Sequence, residues 1–286
     1  FNLDFMNVNQ ALAHIKAELS AVMDAGESQA VARMMMKHYM NYDPVDIILR
    51  GDSVLPDFVP EKIESALARL KRNEPIQHVL GKAYFCGRDF TVTCHTLIPR
   101  PETEQLVDMI VDENKASDLQ VLDIGTGSGC IAISLALAMK FARVTAIDIS
   151  AEALAVAETN AKDNKAKVDF IQADALHLAD LGCEPLDIVV SNPPYVCDSE
   201  KSFMEPNVLD YEPHAALFVP DDDPLRFYNS IARYALRALK PGGRLYFEIN
   251  RQFGNETAAL LTRLGYENVV VTRDSFGNNR FVSATR

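Results

Sequence analysis

The segment Ser191-Asn192-Pro193-Pro194-Tyr195 has the residue types needed to grip an amino group. It follows Leu186-Asp187-Ile188-Val189-Val190, a short β-branched run that reads as a buried strand. Two prolines end that strand, because neither carries an N–H for a ladder and both fix φ near about −65°. Each also drives the residue before it to extended geometry, which predicts a stiff hook at the strand end. No local N–H competes for the carbonyls of Asn192 and Pro193. Together with the Asn192 side-chain oxygen they offer acceptors to a planar –NH2 group, on which Tyr195 can stack.

A second candidate lies upstream. Asp123-Ile124-Gly125-Thr126-Gly127-Ser128-Gly129 follows the apolar Val121-Leu122 and sets three glycines at every second position ahead of an apolar helix. Glycines there let the backbone turn tightly and let a ligand lie against it. The helix N-terminus offers N–H groups to an anionic end of that ligand. A plain tight strand-to-helix connection would use the same residues. Cys130 stands where a dinucleotide fingerprint has its third glycine, which counts against NAD or FAD, and no G-x-x-x-x-G-K-[ST] loop for a nucleoside triphosphate is present. Asp148 ends the next strand, about twenty residues on, and suits ribose hydroxyls. Asp174 follows a third strand and suits an adenine edge; Asn192 ends a fourth. Singly, each is equally a cap or a surface residue. On successive strand ends of one sheet they predict an adenosine pocket.

These positions need a sheet to hold them. From Gln120 strands and helices alternate, with strands at 120–124, 143–148, 168–172, 186–191 and 243–249 and helices at 128–139, 151–163 and 224–239. This is the pattern of a doubly wound α/β fold with ligands outside the carboxyl ends of the strands. A helix over 252–264 and two strands over 267–273 and 279–285 give a closing antiparallel hairpin. The first eighty residues read as helices. Val8, Leu12, Ile15, Leu19 and Val22 form an amphipathic stripe broken by Gly26, and a second helix carries Val31, Met34, Met35 and His38. Asp43-Pro44 and Val59-Pro60 place proline at the first position of two more helices, and a short one runs from Glu74-Pro75 to Gly81. Ala83–Cys86 and Asp89–Val92 flank Gly87-Arg88 as a hairpin between two domains. Pro101 opens a further helix, and the stretch from Val196 to Pro224 is long enough for a functional lid.

Composition narrows the class. The chain has 286 residues, 48% hydrophobic, with a formal net charge of −12 carried mostly after residue 97. That balance lowers the expectation of a phosphate-backbone partner. Five scattered cysteines and six histidines include no C-x-x-C and no ligand pair at helical spacing, so reduced thiols and no metal are expected. The longest apolar run, Cys130–Met139, is about half a membrane span, so the expectation is a soluble cytoplasmic protein off the membrane. Because the chain starts at Phe rather than Met, some residues are expected to precede it.

Read together, Thr96-Leu97-Ile98-Pro99-Arg100-Pro101-Glu102-Thr103-Glu104, the Asp123–Gly129 loop, Ser191–Tyr195, Tyr211-Glu212-Pro213-His214 and the Asp274–Asn279 turn resemble the peptide chain release factor glutamine N5-methyltransferases (HemK/PrmC type), within the class I S-adenosylmethionine-dependent methyltransferases. N-P-P-Y alone is shared with enzymes that methylate nucleobase amino groups, so the I-P-R-P-E-T-E stretch carries the discrimination. The resemblance spans essentially the whole chain. It implies a seven-stranded Rossmann-like methyltransferase sheet closed by an antiparallel hairpin. It also implies a partner-docking N-terminal helical domain (1–81), a β-hairpin linker (82–97) and a catalytic domain (98–286).

The implied reaction moves a methyl group from S-adenosylmethionine to the side-chain amide N5 of the glutamine in the Gly-Gly-Gln tip of class 1 release factors. S-adenosylmethionine is then expected at Asp123, Gly125, Thr126, Gly127, Ser128, Gly129, Asp148, Asp174 and Asn192. Asn192, Pro193 and Tyr195 are expected to be catalytic, and Asn192, Pro193, Pro194, Tyr195 and Glu212 to bind the glutamine substrate. Arg100 and Glu104 either position their segment over the cofactor or cap the helix at Pro101. A monomer with no stable nucleic-acid complex is expected. The runner-up is an amino-methyltransferase of DNA or ribosomal RNA, which would need a basic, aromatic-bearing face. An adapter that has lost activity and a nicotinamide-dependent oxidoreductase fit less well, the first because the motifs are intact and the second because of the glycine spacing.

Overall fold

The computed structural model describes residues 6–286 other than 180 and 184. The chain divides into two compact units. The first ends at Gly81 and takes in Glu205–Tyr211, and the second comprises Lys82–Met204 and Glu212–Arg286.

The first unit is built from α1 (Val8–Leu19), α2 (Ala25–Met40), α3 (Pro44–Leu49), α4 (Phe58–Leu70) and α5 (Ile76–Leu80). Its core joins Val8, Leu12, Ile15 and Leu19 to Val31, Met35 and Met36 and to Val59, Ile63, Leu67 and Leu70. Helix starts follow side-chain caps: Asn7 and Gln10 form a capping box, Asp24 caps α2 and Asp43 caps α3. Several local expectations are corrected. Helix α1 stops at Leu19, leaving Val22 exposed outside the stripe, and Gly26 lies inside α2, whose start is fixed by Asp24. The buried face of α2 uses Met36 where the periodicity put His38. Pro60 is the third residue of α4, still within the first turn where its missing N–H costs nothing.

The second unit opens with β1 (Lys82–Phe85) and β2 (Arg88–Thr91), which pair Phe85 with Arg88. The turn is therefore Cys86-Gly87, one residue earlier than the sequence pattern indicates. Both residues have positive φ, 46° and 77°, as a tight two-residue hairpin turn requires. A non-glycine residue rarely takes that conformation, and here a tertiary bond supports it, with the Cys86 N–H donating to Glu104 Oε1 at 2.8 Å.

Next come α6 (Pro101–Glu113), β3 (Gln120–Ile124), α7 (Cys130–Ala138), β4 (Arg143–Asp148), α8 (Ala151–Asp163), β5 (Val168–Gln172), β6 (Leu186–Ser191) and β7 (Val196–Cys197). They are followed by α9 (Pro206–Tyr211), β8 (Phe218–Val219), α10 (Arg226–Ala238), β9 (Leu239–Glu248), α11 (Gly254–Leu264), β10 (Glu267–Arg273) and β11 (Asn279–Thr285). The main sheet has seven strands in the order β10-β11-β9-β6-β3-β4-β5. Strands β3 to β6 and β9 run parallel, and β11 is antiparallel to both β9 and β10. This is the doubly wound sheet with a closing hairpin that the strand and helix alternation predicts. Strand β9 begins four residues earlier than expected, because the Pro241-Gly242-Gly243 interruption is absorbed as a register shift against β6.

Both faces of the sheet are covered, which explains the near-continuous apolar strands. Leu122, Ile124, Val189, Leu245 and Phe247 pack with α10 and α11, while Val121, Ile188, Val190 and Tyr246 pack with α6 and α7. The long stretch after Tyr195 is occupied by β7, 3₁₀ turns, α9 and β8. Within the first unit, Tyr211 of α9 donates to the Arg72 carbonyl at 2.7 Å. Among the described residues no helix is long and apolar enough to cross a membrane.

Candidate active site

The chain leaves β3 toward β4 and β5 on one side and reaches β6 and β9 on the other, so the gap beyond the carboxyl ends of β3 and β6 is the switch point of the sheet. Register brings the predicted residues to one level. Ile124 lies opposite both Ile147 and Ser191, and Asp148 lies opposite Gln172. The glycine loop, Asp148, the Ala173-Asp174 corner and Asn192 thus leave four adjacent strands side by side. The Ser191 hydroxyl locks the middle of this row by donating to the Ile124 carbonyl at 2.6 Å.

The loop is built from its own amides. The Gly125 and Thr126 N–H groups both donate to the Ile147 carbonyl at 2.9 Å, and the Gly127 N–H donates to Asp148 Oδ2 at 2.8 Å. Asp148 Oδ1 accepts from Ser150 at 3.0 Å, so this carboxylate organises the loop and the start of α8 together. Gly125 and Gly127 have φ of 75° and 55°, and a Cβ at either would meet open space, which leaves a cradle for a ligand. Gly129 serves differently, because a Cβ there would press on Ile133 and Ala157. Ser128 is buried, and its carbonyl accepts from Asn160 Nδ2 at 2.8 Å.

Asp123 is fully buried, and the Thr126 hydroxyl donates to its Oδ2 at 2.7 Å. Among the described residues Oδ1 has no well-formed hydrogen bond. Burial pushes this carboxyl up to about 7, against a smaller pull from Thr126 and the Ala132 amide, and the Asp148 charge adds to the rise. Burial favours its protonated form. The carboxyl therefore costs nothing below its ordinary value of 3.8, and the cost grows until the pH passes 7. Asp123→Asn is expected to raise the Tm of the ligand-free protein by about 5 °C at pH 8 and by less than about 1 °C at pH 4, read by thermal-shift fluorimetry. A gain that is equal at both pH values would refute the assignment.

Asp174 is committed locally. Its Oδ1 accepts from the Leu176 N–H at 2.8 Å and its Oδ2 pairs with His177 Nδ1 at 2.7 Å, and these contacts hold the carboxyl below the ordinary range. Glu212 is buried, and both of its oxygens are engaged, by the Ile98 N–H at 2.9 Å and by the Arg100 guanidinium at 2.5 Å. Arg100 thus pins the segment before α6, and Glu104 pins the hairpin turn.

The hook is open on one side and clamped on the other. Among the described residues no donor reaches the carbonyls of Asn192 or Pro193, and the Asn192 side-chain amide makes no hydrogen bond. The Tyr195 carbonyl, in contrast, accepts from Asn250 Nδ2 at 3.0 Å, and the Tyr195 hydroxyl donates to Glu248 Oε1 at 3.1 Å. Burial and the adjacent Glu248 push the Tyr195 phenol far above its ordinary value, so it stays protonated. Three open acceptors on the proline-stiffened segment after β6 suit a carboxamide –NH2, and the cradle beside the buried Asp123 suits a ligand that carries a diol and a cationic group. Sequence reasoning missed Asn160, Thr103, Glu248 and Asn250. The signal for Glu248 was present, an acid closing the apolar run Leu245-Tyr246-Phe247 just as Asp148 closes β4.

Comparison with known proteins places the chain among methyltransferases. A Methyltransferase small domain model matches residues 101–207 and a PrmC N-terminal domain model matches residues 10–81. The release factor glutamine methyltransferase of Bacteroides thetaiotaomicron is 44% identical over 98% of this chain and 100% of its own length. That of Flavobacterium psychrophilum is 44% identical over 92% of this chain and 94% of its own. A methyltransferase structure from Pyrococcus furiosus shares the fold at 18% identity, with a TM-score of 0.51 over 76% of this chain and 96% of that one.

Proposed function

The chain belongs to the release factor glutamine methyltransferase family, and on that premise we propose that it methylates the side-chain amide N5 of the glutamine in the Gly-Gly-Gln motif of a class 1 peptide chain release factor. The observation that carries this reading is the set of open acceptors on Asn192 and Pro193 beside the glycine cradle. Held by the Gly125–Gly129 loop, Asp123, Asp148 and Asp174, S-adenosylmethionine would supply an electrophilic methyl carbon on a sulfonium, and the amide nitrogen that received it would release a proton to solvent.

The residues of the chain do the rest. Gly125 and Gly127 admit the cofactor against the backbone, with the main chain of Ser128 and Gly129 at the helix start and Thr126 holding Asp123. Asp148 takes the ribose hydroxyls on lone pairs that the loop amides leave free, and Asp174 in the same way takes the adenine amino group. Asp123 Oδ1, which has no well-formed hydrogen bond among the described residues, meets the ammonium of the methionine part, and a cation there favours the ionised carboxylate. Asn192 Oδ1 and the Pro193 carbonyl accept the two N–H bonds of the glutamine amide. That amide nitrogen is a poor nucleophile because its lone pair is delocalised, so orientation and acceptors for its developing positive charge supply several kcal/mol of the barrier. Pro194 keeps the bend rigid, and Tyr195 packs against the amide plane. Glu212 contributes to the substrate entrance through the Arg100 and Ile98 segment it holds.

The helical unit docks the protein partner. Helix α3 buries none of its residues, and Val45, Ile48 and Leu49, on one face, are 62%, 80% and 78% exposed. The substrate places this work in the cytoplasm, where release factors act. Incubation with labelled S-adenosylmethionine and a recombinant release factor, followed by peptide mass spectrometry, tests the reading. Label is expected on the Gly-Gly-Gln glutamine and lost when that residue is replaced. Label on ribosomal RNA, or on no release factor, contradicts it. In the same assay Ile48→Asp is expected to raise the KM for the release factor about tenfold at unchanged kcat.

A further inference from the structure

Glu248 is 1% exposed at the end of β9. A carboxylate buried this deeply is a poor choice for stability, since an apolar side chain of the same size would pack at lower cost. What Glu248 offers instead is a pair of directional acceptors, and three separate segments use its charge. Tyr195 of the hook donates to Oε1 at 3.1 Å, and Thr103, inside the Ile98–Glu104 segment, donates to Oε2 at 2.7 Å. Arg280, anchored by Asp274 at 3.0 Å in the closing hairpin, lends its charge from further away.

Register explains why this acid can reach the hook. Strand β9 lies next to β6 with Phe247 opposite Ser191, so Glu248 and Asn192 are the next residues along on neighbouring chains. Two residues further on, Asn250 holds the Tyr195 carbonyl and also donates to Glu200 Oε2 at 2.8 Å. Tyr195 is therefore gripped at its hydroxyl by Glu248 and at its main chain by Asn250, while the carbonyls of Asn192 and Pro193 stay open.

We propose that Glu248 is a positioning residue for methyl transfer, clamping Tyr195 from behind and thereby fixing the angle of the Asn192 and Pro193 acceptors. This rests on the reading of the hook as a carboxamide clamp. Glu248 is 1% exposed and bonded to the Tyr195 hydroxyl, so it acts through Tyr195 and not on substrate. The two motifs that stand about ninety residues apart in sequence, Ile98–Glu104 and Ser191–Tyr195, are bridged through this one carboxylate.

Glu248→Gln tests the proposal with little change in volume. A carboxamide has only one acceptor oxygen, so either the Tyr195 or the Thr103 hydroxyl loses its acceptor and must turn its proton elsewhere. In release-factor methylation assays kcat is expected to fall about 30-fold, with the KM for the release factor and the Kd for S-adenosylmethionine within about twofold of wild type. Combined with Tyr195→Phe, the same change is expected to cost less than about twofold more, because its route is already cut. Hydrogen exchange at the Asn192 and Tyr195 amides is expected to quicken at least about tenfold while β3 and α7 stay unchanged. That measurement requires no substrate, so it judges the clamp even if the chain methylates something else. Thr103→Val gives the same pattern more weakly if the glutamine variant folds poorly. The proposal is overturned by unchanged exchange at the hook, by a kcat within threefold of wild type, or by an equal loss in the Tyr195→Phe background.

Discussion

Replacing Asn192 by alanine is expected to lower kcat by about a thousandfold while S-adenosylmethionine binds within about threefold of wild type and Tm moves by less than about 2 °C. The three parts of this expectation have separate causes. Stability is spared because the Asn192 side chain makes no hydrogen bond with the described residues, so alanine removes nothing the fold relies on. Cofactor binding is largely spared because the glycine cradle, Asp123 and Asp148 stay in place. Turnover suffers because one of the two acceptors that orient the amide nitrogen is gone, and a misoriented nitrogen presents neither lone pair nor charge correctly. Losses of a hundredfold to a thousandfold follow removal of one directed group at a reacting centre, and the lost orientation adds to that. Stopped-flow or label-incorporation kinetics paired with calorimetry read all three. A variant that turns over within about tenfold of wild type would remove the clamp.

The reverse split is expected for Asp148→Ala, where the Kd for S-adenosylmethionine rises about 100-fold, near 2.7 kcal/mol, while kcat at saturating cofactor falls no more than about threefold. Asp148 contributes twice, as acceptor for the ligand and as the carboxylate that holds the Gly127 and Ser150 amides at 2.8 and 3.0 Å. Alanine frees both amides and loosens the cradle. Asparagine keeps one acceptor oxygen, so Asp148→Asn is expected to fall between the two, about tenfold weaker than wild type. Isothermal calorimetry checks the series, and an affinity unchanged in the alanine variant would count against the ribose role.

The parts of this molecule that could be read in advance are those set by local chemistry. The cradle followed from glycine, and the parallel sheet from strands that recur between amphipathic helices. In each case a few neighbouring residues decide the conformation. What stayed hidden depends on partners far along the chain. Cys86 takes a positive φ because Glu104, eighteen residues later, holds its amide. Glu212 is held by Ile98 and Arg100, more than a hundred residues away, which no local pattern shows. The face of α2 shifted from His38 to Met36 because the contacts of α1 and α5 set which side is buried, and periodicity alone does not. Glu248 could be suspected as an acid closing an apolar strand, but its partners Tyr195 and Thr103 lie 53 and 145 residues away and are invisible in β9 itself.

The most direct measurement is a crystal structure of the enzyme with a release factor and S-adenosylhomocysteine. The account predicts the glutamine side-chain nitrogen within about 3 Å of both Asn192 Oδ1 and the Pro193 carbonyl, its lone pair aimed at the cofactor sulfur. A hook turned away from that sulfur, or filled by a nucleobase, would contradict it.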